Sequence, residues 1–374
     1  MSNEALRRHE ANIVLGYYIA IFVIGFVTNT IVVITFIFSK RLHTTPNLIL
    51  FSMSVCDWLM AAMAKSVGIY GNARYWPTVG KVTCDYYAFA TSAIGYASIL
   101  HLAALAVEKR MAVASPMTNS LNERRMLVII ATLWGFAILW AVFPLIGWSS
   151  YGPEPGYVSC SITWYTTDHN NVSYIICISV LFFFVPIVTM TFSFASIYKA
   201  IRNISHEAIA RWGSHARATQ ETIKAKAKTA KMAFLMVMCF LFAWTPYAVV
   251  SLWTTFGGTH RNPALLGVLP SLFAKLSSCY NPIIYFFMYT KFRRAAKLLF
   301  IKKVIRPTEA ERSRVLSGIR TRAASTFAVK LTVHAEKGQQ IAPNITPQGA
   351  VKGPVESIED NLQKIETITP CTSV

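Results

Sequence analysis

Seven stretches of the chain, residues 12–38, 46–71, 81–107, 126–147, 172–197, 232–256 and 264–288, are each long and apolar enough to cross the hydrocarbon core of a bilayer as a helix. Inside lipid every backbone N–H and C=O must find its partner within the chain, so such stretches can only become spanning helices. The composition agrees: 54% of the 374 residues are hydrophobic and 14% charged, and the mean hydropathy of +0.42 excludes an ordinary soluble domain. The expected fold is an all-α membrane protein, a seven-transmembrane helix bundle.

Orientation follows from where Lys and Arg fall. Lys40 and Arg41, then Lys109, Arg110, Arg124 and Arg125, then Lys199 to Lys228, then Lys291 to Lys303 all lie on one face if the spans alternate. That face is expected to be cytoplasmic, which puts the amino terminus outside a cell membrane that the chain crosses many times. The net charge of +19 is then a topology and lipid-headgroup signal, not a nucleic-acid footprint, because it is divided among membrane-edge loops. The first apolar run is too long for the core of a cleavable signal peptide and is expected to remain as helix 1. After the last span, TKFRRAAKLLFIKK (290–303) sets Phe292, Leu298, Leu299 and Phe300 among basic neighbours, the pattern of a short amphipathic eighth helix on the inner leaflet. Residues 1–303 thus form the transmembrane domain, and 304–374, polar and without apolar periodicity, read as a disordered cytoplasmic tail.

Of seven cysteines only Cys84 and Cys160 face the oxidising side, so a disulfide between them is the favoured pairing, with two free thiols as the alternative. No metal site is expected.

One residue does not suit its surroundings. Lys275 lies inside SLFAKLSSCYNPIIYFF (271–287), where a charged amine costs at least ~2.5–3.5 kcal/mol at the bilayer midplane. A lysine there can serve as a nucleophile that attacks an aldehyde to form a Schiff base, or it can snorkel to the headgroups or neutralise a buried acid. Lys275 alone leaves these readings open.

The spans carry further marks. Asn29, Asp57, Trp134, Pro186, Trp244-Thr245-Pro246-Tyr247 and Asn281-Pro282-Ile283-Ile284-Tyr285 fall in order, each in the appropriate span. Together they resemble a rhodopsin-class G-protein-coupled receptor over about residues 12–303. Asn29, Asp57 and Asn281 cannot face lipid and are expected to share a polar network in the bundle core, while Pro246 and Pro282 hinge helices 6 and 7. Within that class, Lys275 stands six residues before Asn281, the spacing at which opsins attach retinal. The resemblance implies a retinal Schiff base on Lys275 and a pocket formed by Ser92, Gly95, Ser161, Trp244 and Tyr247, with 11-cis or all-trans retinal as cofactor. The loop PLIGWSSYGPEPGYVSC (144–160) is close to the opsin pattern, and CDYYAFATSAIG (84–95), YGPEPGYVSC (151–160) and AWTPYAVVSLWTTFG (243–257) look most like the neuropsin branch.

A protonated Schiff base in the membrane needs an anion nearby. Where vertebrate visual opsins hold a glutamate in span 3, this chain has Tyr87; Glu154, six residues before Cys160, matches the loop glutamate of many non-visual and invertebrate opsins, which implies it as counterion, the alternative being an ordinary exposed loop carboxylate. Lys65 lies eight residues beyond Asp57, roughly 12 Å further toward the outer face at 1.5 Å per residue. Beside the imine it would disfavour protonation and move absorption to the ultraviolet or violet. The competing readings are that Lys65 snorkels outward, or pairs with Glu154.

The inner end departs from the family pattern. Glu108-Lys109-Arg110 replaces an acid-Arg-aromatic triplet, and a lysine lacks the planar fork of arginine. Lys226 stands where an acid often faces that arginine, so Lys109 and Lys226 would repel. Phe194 replaces a tyrosine. Two functions therefore remain: a light-activated receptor for a heterotrimeric G protein, with arrestin and a receptor kinase at the tail, or a retinal photoisomerase with weak or no coupling. An ion pump would need carboxylates along a path, and Asp57 alone is insufficient. The sequon Asn171-Val172-Ser173 sits close to the membrane.

Overall fold

The computed structural model describes residues 3–114, 122–154, 156–166, 168–212, 217–257 and 264–304. Helix α1 (Asn3–Phe38) carries its apolar length in Ala11–Phe38. Helix α2 (Thr45–Arg74) starts with Pro46 in its first turn, where the missing N–H costs nothing. A π turn at Met60–Lys65 widens it midway. Helix α3 (Lys81–Ala114) runs through the middle: 56% of its apolar window is buried, against 17% for α4 (Glu123–Val142), whose Asn122 side chain caps the Arg125 N–H. Helix α4 ends through a 3₁₀ turn containing Pro144.

Outside the bundle mouth, β1 (Tyr151–Pro153) and β2 (Cys160–Ile162) pair antiparallel, with Tyr151 opposite Ile162 and Pro153 opposite Cys160. A disulfide joins Cys160 to Cys84 in the first turn of α3, with Cα atoms 5.4 Å apart, and so fastens this hairpin over the bundle. Helix α5 (His169–Ile204) is capped by Asp168 and contains a second π turn, Val180–Phe184, just before Pro186. Helix α6 (Arg217–Phe256) contains Pro246.

Among the described residues, six helices are long and apolar enough to cross a membrane by themselves. The seventh pass is divided. Helix α7 (Ala264–Lys275) gives way to a 3₁₀ turn, Ser277–Cys279, and α8 (Tyr280–Met288) completes the crossing. The expected span at 264–288 is thus two short helices, broken just after Lys275 and just before Pro282.

Helix α9 (Thr290–Val304) follows the last pass. Phe292 does not face lipid as its amphipathic pattern suggested: it is 2% exposed, packed against Phe36 and Tyr285 at ring distances of 6.0 and 6.1 Å. Leu298 is exposed, and the side chain of Phe300 lies outside the described residues, as do residues 305–374, the expected tail.

The polar core forms in part as expected. Asn281 Nδ2 donates to Asp57 Oδ2 at 2.7 Å, while Asn29 Nδ2 donates to the carbonyls of Gly25 and Ser278 at 2.8 and 2.9 Å. Trp134 belongs to another set, donating to Ser52 Oγ, which also bonds His101 at 2.9 Å inside α3. The sequon at Asn171 is spent on structure. Its Nδ2 donates to the carbonyls of Thr163 and Thr166 and the residue is 2% exposed, so it offers no amide for glycosylation.

Candidate functional site

Between α3, α5, α6, α7 and the β hairpin lies a cavity, about 1200 Å³ of atom-free space when the solvent at its opening is counted, lined mainly by apolar and aromatic side chains. Ser92, Gly95, Ser161, Trp244 and Tyr247 all line it, together with Glu154 and Lys275. A Cβ on Gly95 would meet the Trp244 indole at 3.6 Å, so a methyl fits there and any longer side chain would fill the space before the ring. The Trp244 indole N–H donates to Ser277 Oγ at 3.1 Å, which ties α6 to the break in the seventh pass.

Residues that the motifs did not mark also form the wall. Tyr96 of α3 stacks on Phe182 of α5 with ring centres 4.1 Å apart, and Phe182 lies in the π turn of α5. Aromatic residues at helical spacing read in sequence as ordinary core; only the π turn brings Phe182 to this face.

Lys275 occupies the last residue of α7, and its amine faces Glu154 at 3.6 Å from Oε2. Glu154 follows β1 and is 5% exposed. Its Oε1 accepts from the Tyr247 hydroxyl at 2.9 Å, and its Oε2 accepts from Ser271 Oγ at 2.5 Å and from Ser159 Oγ. Burial alone would raise this carboxyl. The Lys275 charge, with the hydroxyls of Ser159, Ser271 and Tyr247, outweighs burial and holds it below the usual carboxylate value, so it is ionised at neutral pH. Ser159 and Ser271 had no sequence signal beyond lying next to Cys160 and one turn before Lys275.

Tyr87 lies outside the cavity wall. It is 1% exposed, shares a 3.1 Å hydrogen bond with the Tyr18 hydroxyl and packs edge-on against Trp76. Lys65 neither snorkels outward nor reaches Glu154. It ends the π turn of α2, 2% exposed, and its amine donates to Ile21 O at 3.2 Å and Ser278 Oγ at 2.7 Å, with Cys279 Sγ at 3.6 Å. Gly25 of α1 lies against it: a Cβ there would come within 3.1 Å of the Lys65 amine and press on it.

At the end of the bundle away from the hairpin Lys109 pairs with its neighbour Glu108 at 2.6 Å, both buried. The guanidinium of Arg110 sits 5.1 Å from the ring centre of Phe192 on α5. Phe194 packs edge-on against Phe234 of α6, 5.3 Å between centres. The side chain of Lys226, and with it the expected repulsion from Lys109, lies outside the described residues. On α6, Lys228 instead donates to Thr290 Oγ1 of α9 at 3.0 Å. Pro282 and Tyr285 are buried in α8, Tyr285 against Phe36, while Tyr289 donates to Asn47 of α2 at 2.7 Å.

Residues 28–285 match the family described as 7 transmembrane receptor (rhodopsin family). Pinopsin of Gallus gallus is 35% identical over 271 residues, covering 71% of this chain and 74% of pinopsin. The visual pigment-like receptor peropsin of Homo sapiens is 31% identical over 301 residues, covering 78% of this chain and 85% of peropsin. Melanopsin-B of Gadus morhua is 30% identical over 76% of this chain, which spans only 47% of that relative's length. The crystal structure of squid rhodopsin superposes with a TM-score of 0.72 at 26% identity, covering 83% of this chain and 90% of the other.

Proposed function

The chain belongs to the rhodopsin family of seven-transmembrane receptors, among its opsins, and on that premise we propose that it is a light-sensing receptor that holds retinal on Lys275 and acts on a heterotrimeric G protein. The observation that carries the reading is the Lys275–Glu154 pair, an amine and a carboxylate facing each other at one wall of a largely apolar cavity. The site suits the group. The cavity is lined by aromatic side chains, Gly95 leaves a gap before Trp244, and the Lys275 amine on the wall has its anion already in place. When bound, retinal supplies the light-absorbing polyene and the aldehyde carbon for covalent attachment to the Lys275 amine.

The chain's own residues do the rest. Glu154 balances positive charge on the attachment nitrogen whenever that nitrogen takes up a proton, and Tyr247, Ser159 and Ser271 fix the carboxylate by hydrogen bonds. The largely apolar lining lowers the local dielectric around that pairing, which strengthens it. Trp244, bonded to Ser277, links the cavity to the break between α7 and α8, where Pro282 and the Asp57–Asn281 bond lie. A change of shape in the cavity therefore bears on the hinge of the seventh pass.

Lys65 supports a dark state absorbing in the ultraviolet or violet, since its buried amine bonds Ser278, one turn beyond Lys275, and a second positive charge there disfavours a charged attachment nitrogen. The loop and span motifs at 84–95, 151–160 and 243–257 support the neuropsin branch. The distribution of Lys and Arg supports an outside amino terminus.

The second reading, a retinal photoisomerase without coupling, is favoured by the inner end, where Lys109 is spent on Glu108 and Phe194 has no hydroxyl. Full-length protein prepared with 11-cis or all-trans retinal decides between them. A receptor shows a pigment band and light-dependent nucleotide exchange, both lost in Lys275→Ala; a band without exchange would establish the photoisomerase.

A further inference from the structure

We propose that Ser271 is the positioning residue through which Glu154 acts on Lys275, a hydroxyl inserted between amine and carboxylate. The proposal rests on Lys275 as the reactive amine of the cavity. The direct separation of Lys275 Nζ from Glu154 Oε2 is 3.6 Å, longer than the roughly 2.7–2.9 Å of a charge-assisted hydrogen bond. Ser271 Oγ closes that gap. It accepts from Lys275 Nζ and donates to Glu154 Oε2 at 2.5 Å.

Its place on the helix explains the fit. Ser271 stands four residues before Lys275, so both side chains lie on one face of α7, and the serine is 1% exposed. A serine hydroxyl has one proton to give and two lone pairs. Here the proton goes to the carboxylate and a lone pair to the amine, so the bridge is filled from both sides. Tyr247 holds the other carboxylate oxygen at 2.9 Å, which aims Oε2 at the serine.

Ser159 offers a second hydroxyl, 3.3 Å from Nζ and bonded to the same Oε2. It belongs to the loop beside Cys160. Ser271 belongs to the helix that carries Lys275, one turn before it, so its place beside the amine is set within α7, whereas both Ser159 and Glu154 come from the loop. The bridge also defines a proton path that needs no other reactant. An N–H bond of the ammonium breaks as a new O–H forms on Ser271, and the original O–H of Ser271 breaks as one forms on Glu154. The charged pair becomes a neutral pair and the serine is regenerated.

The test uses full-length protein without retinal. Formaldehyde with cyanoborohydride methylates neutral amines, and peptide mass spectrometry reads the rate at Lys275 at neutral pH. Ser271→Ala should be methylated about tenfold faster, as loss of a hydrogen bond to a charged group implies. Ser271→Thr, which restores the hydroxyl, should return close to the wild-type rate. Glu154→Gln should be at least as fast as Ser271→Ala, and the double variant no faster than Glu154→Gln alone. A wild-type rate in Ser271→Ala, or single effects that multiply in the double variant, would overturn the proposal. In preparations with retinal, the dark band of Ser271→Ala should move in the same direction as that of Glu154→Gln, with no further movement in the double variant. Wild-type protein that forms no pigment would refute the retinal reading, while the methylation rates would still decide the role of Ser271.

Discussion

Lys65 shows how far a single residue can be placed by counting. Its height in the membrane is set by eight residues of helix beyond Asp57, and it does lie beside the seventh pass near Lys275. Its direction is not set by that count. The π turn at Met60–Lys65 adds a residue to one turn of α2, which rotates the outer part of the helix by about 100° relative to a regular one. The amine therefore points at Ile21 O and Ser278 Oγ and away from the cavity wall. Replacing it with methionine keeps the length and removes the charge, so the dark band of Lys65→Met pigment should shift to longer wavelength. An unshifted band would remove Lys65 from spectral tuning. Lys275 and Glu154 were legible because a charge in an apolar span and an acid in an outer loop are both conspicuous. Ser159 and Ser271 were not, since serine suits turns, caps and helix faces alike, and only the folded geometry sets these two hydroxyls between amine and carboxylate.

Among the elements, the spans were readable from hydropathy because each must satisfy its backbone internally along its whole length. The breaks within them were not. The π turn at Val180–Phe184 is as apolar as its neighbours, and the polar Lys65, Ser277 and Ser278 at the other two breaks do not by themselves signal one; Pro186 and Pro282, which cannot donate to the preceding turn, mark two of the three in sequence. Helix α9 was legible as a helix but not in its packing. Its alternation of apolar and basic residues indicated a helix on the inner leaflet, yet Phe292 is a core residue that anchors α9 to α1 and α8 through Phe36 and Tyr285. Truncating a ring this buried costs about 3–5 kcal/mol. Phe292→Ala should lower the melting temperature of the purified receptor and leave the dark spectrum unchanged. A spectrum that moved with it would show that α9 is coupled to the cavity.

Across the whole molecule, the two ends of the bundle stand in contrast. The hairpin end, the outer one on the proposed topology, is closed by the Cys84–Cys160 disulfide and the β hairpin, and its polar groups converge on one amine. At the inner end the charges form local contacts: Glu108 with Lys109, Arg110 over Phe192, and Lys228 on Thr290. The link between α6 and α9 through Lys228 and Thr290 ties the inner end of α6 to the helix after the last pass. The proposed light-sensing function requires that a chromophore be held at one defined atom of the hairpin end before anything can pass to the other. The direct measurement is hydride reduction of the retinal-loaded protein with borohydride, followed by peptide mass mapping. The retinyl group should be found on the peptide containing Lys275 and on no other lysine. Recovery of the group on Lys65, or on no lysine at all, would contradict the assignment of Lys275 as the site of attachment.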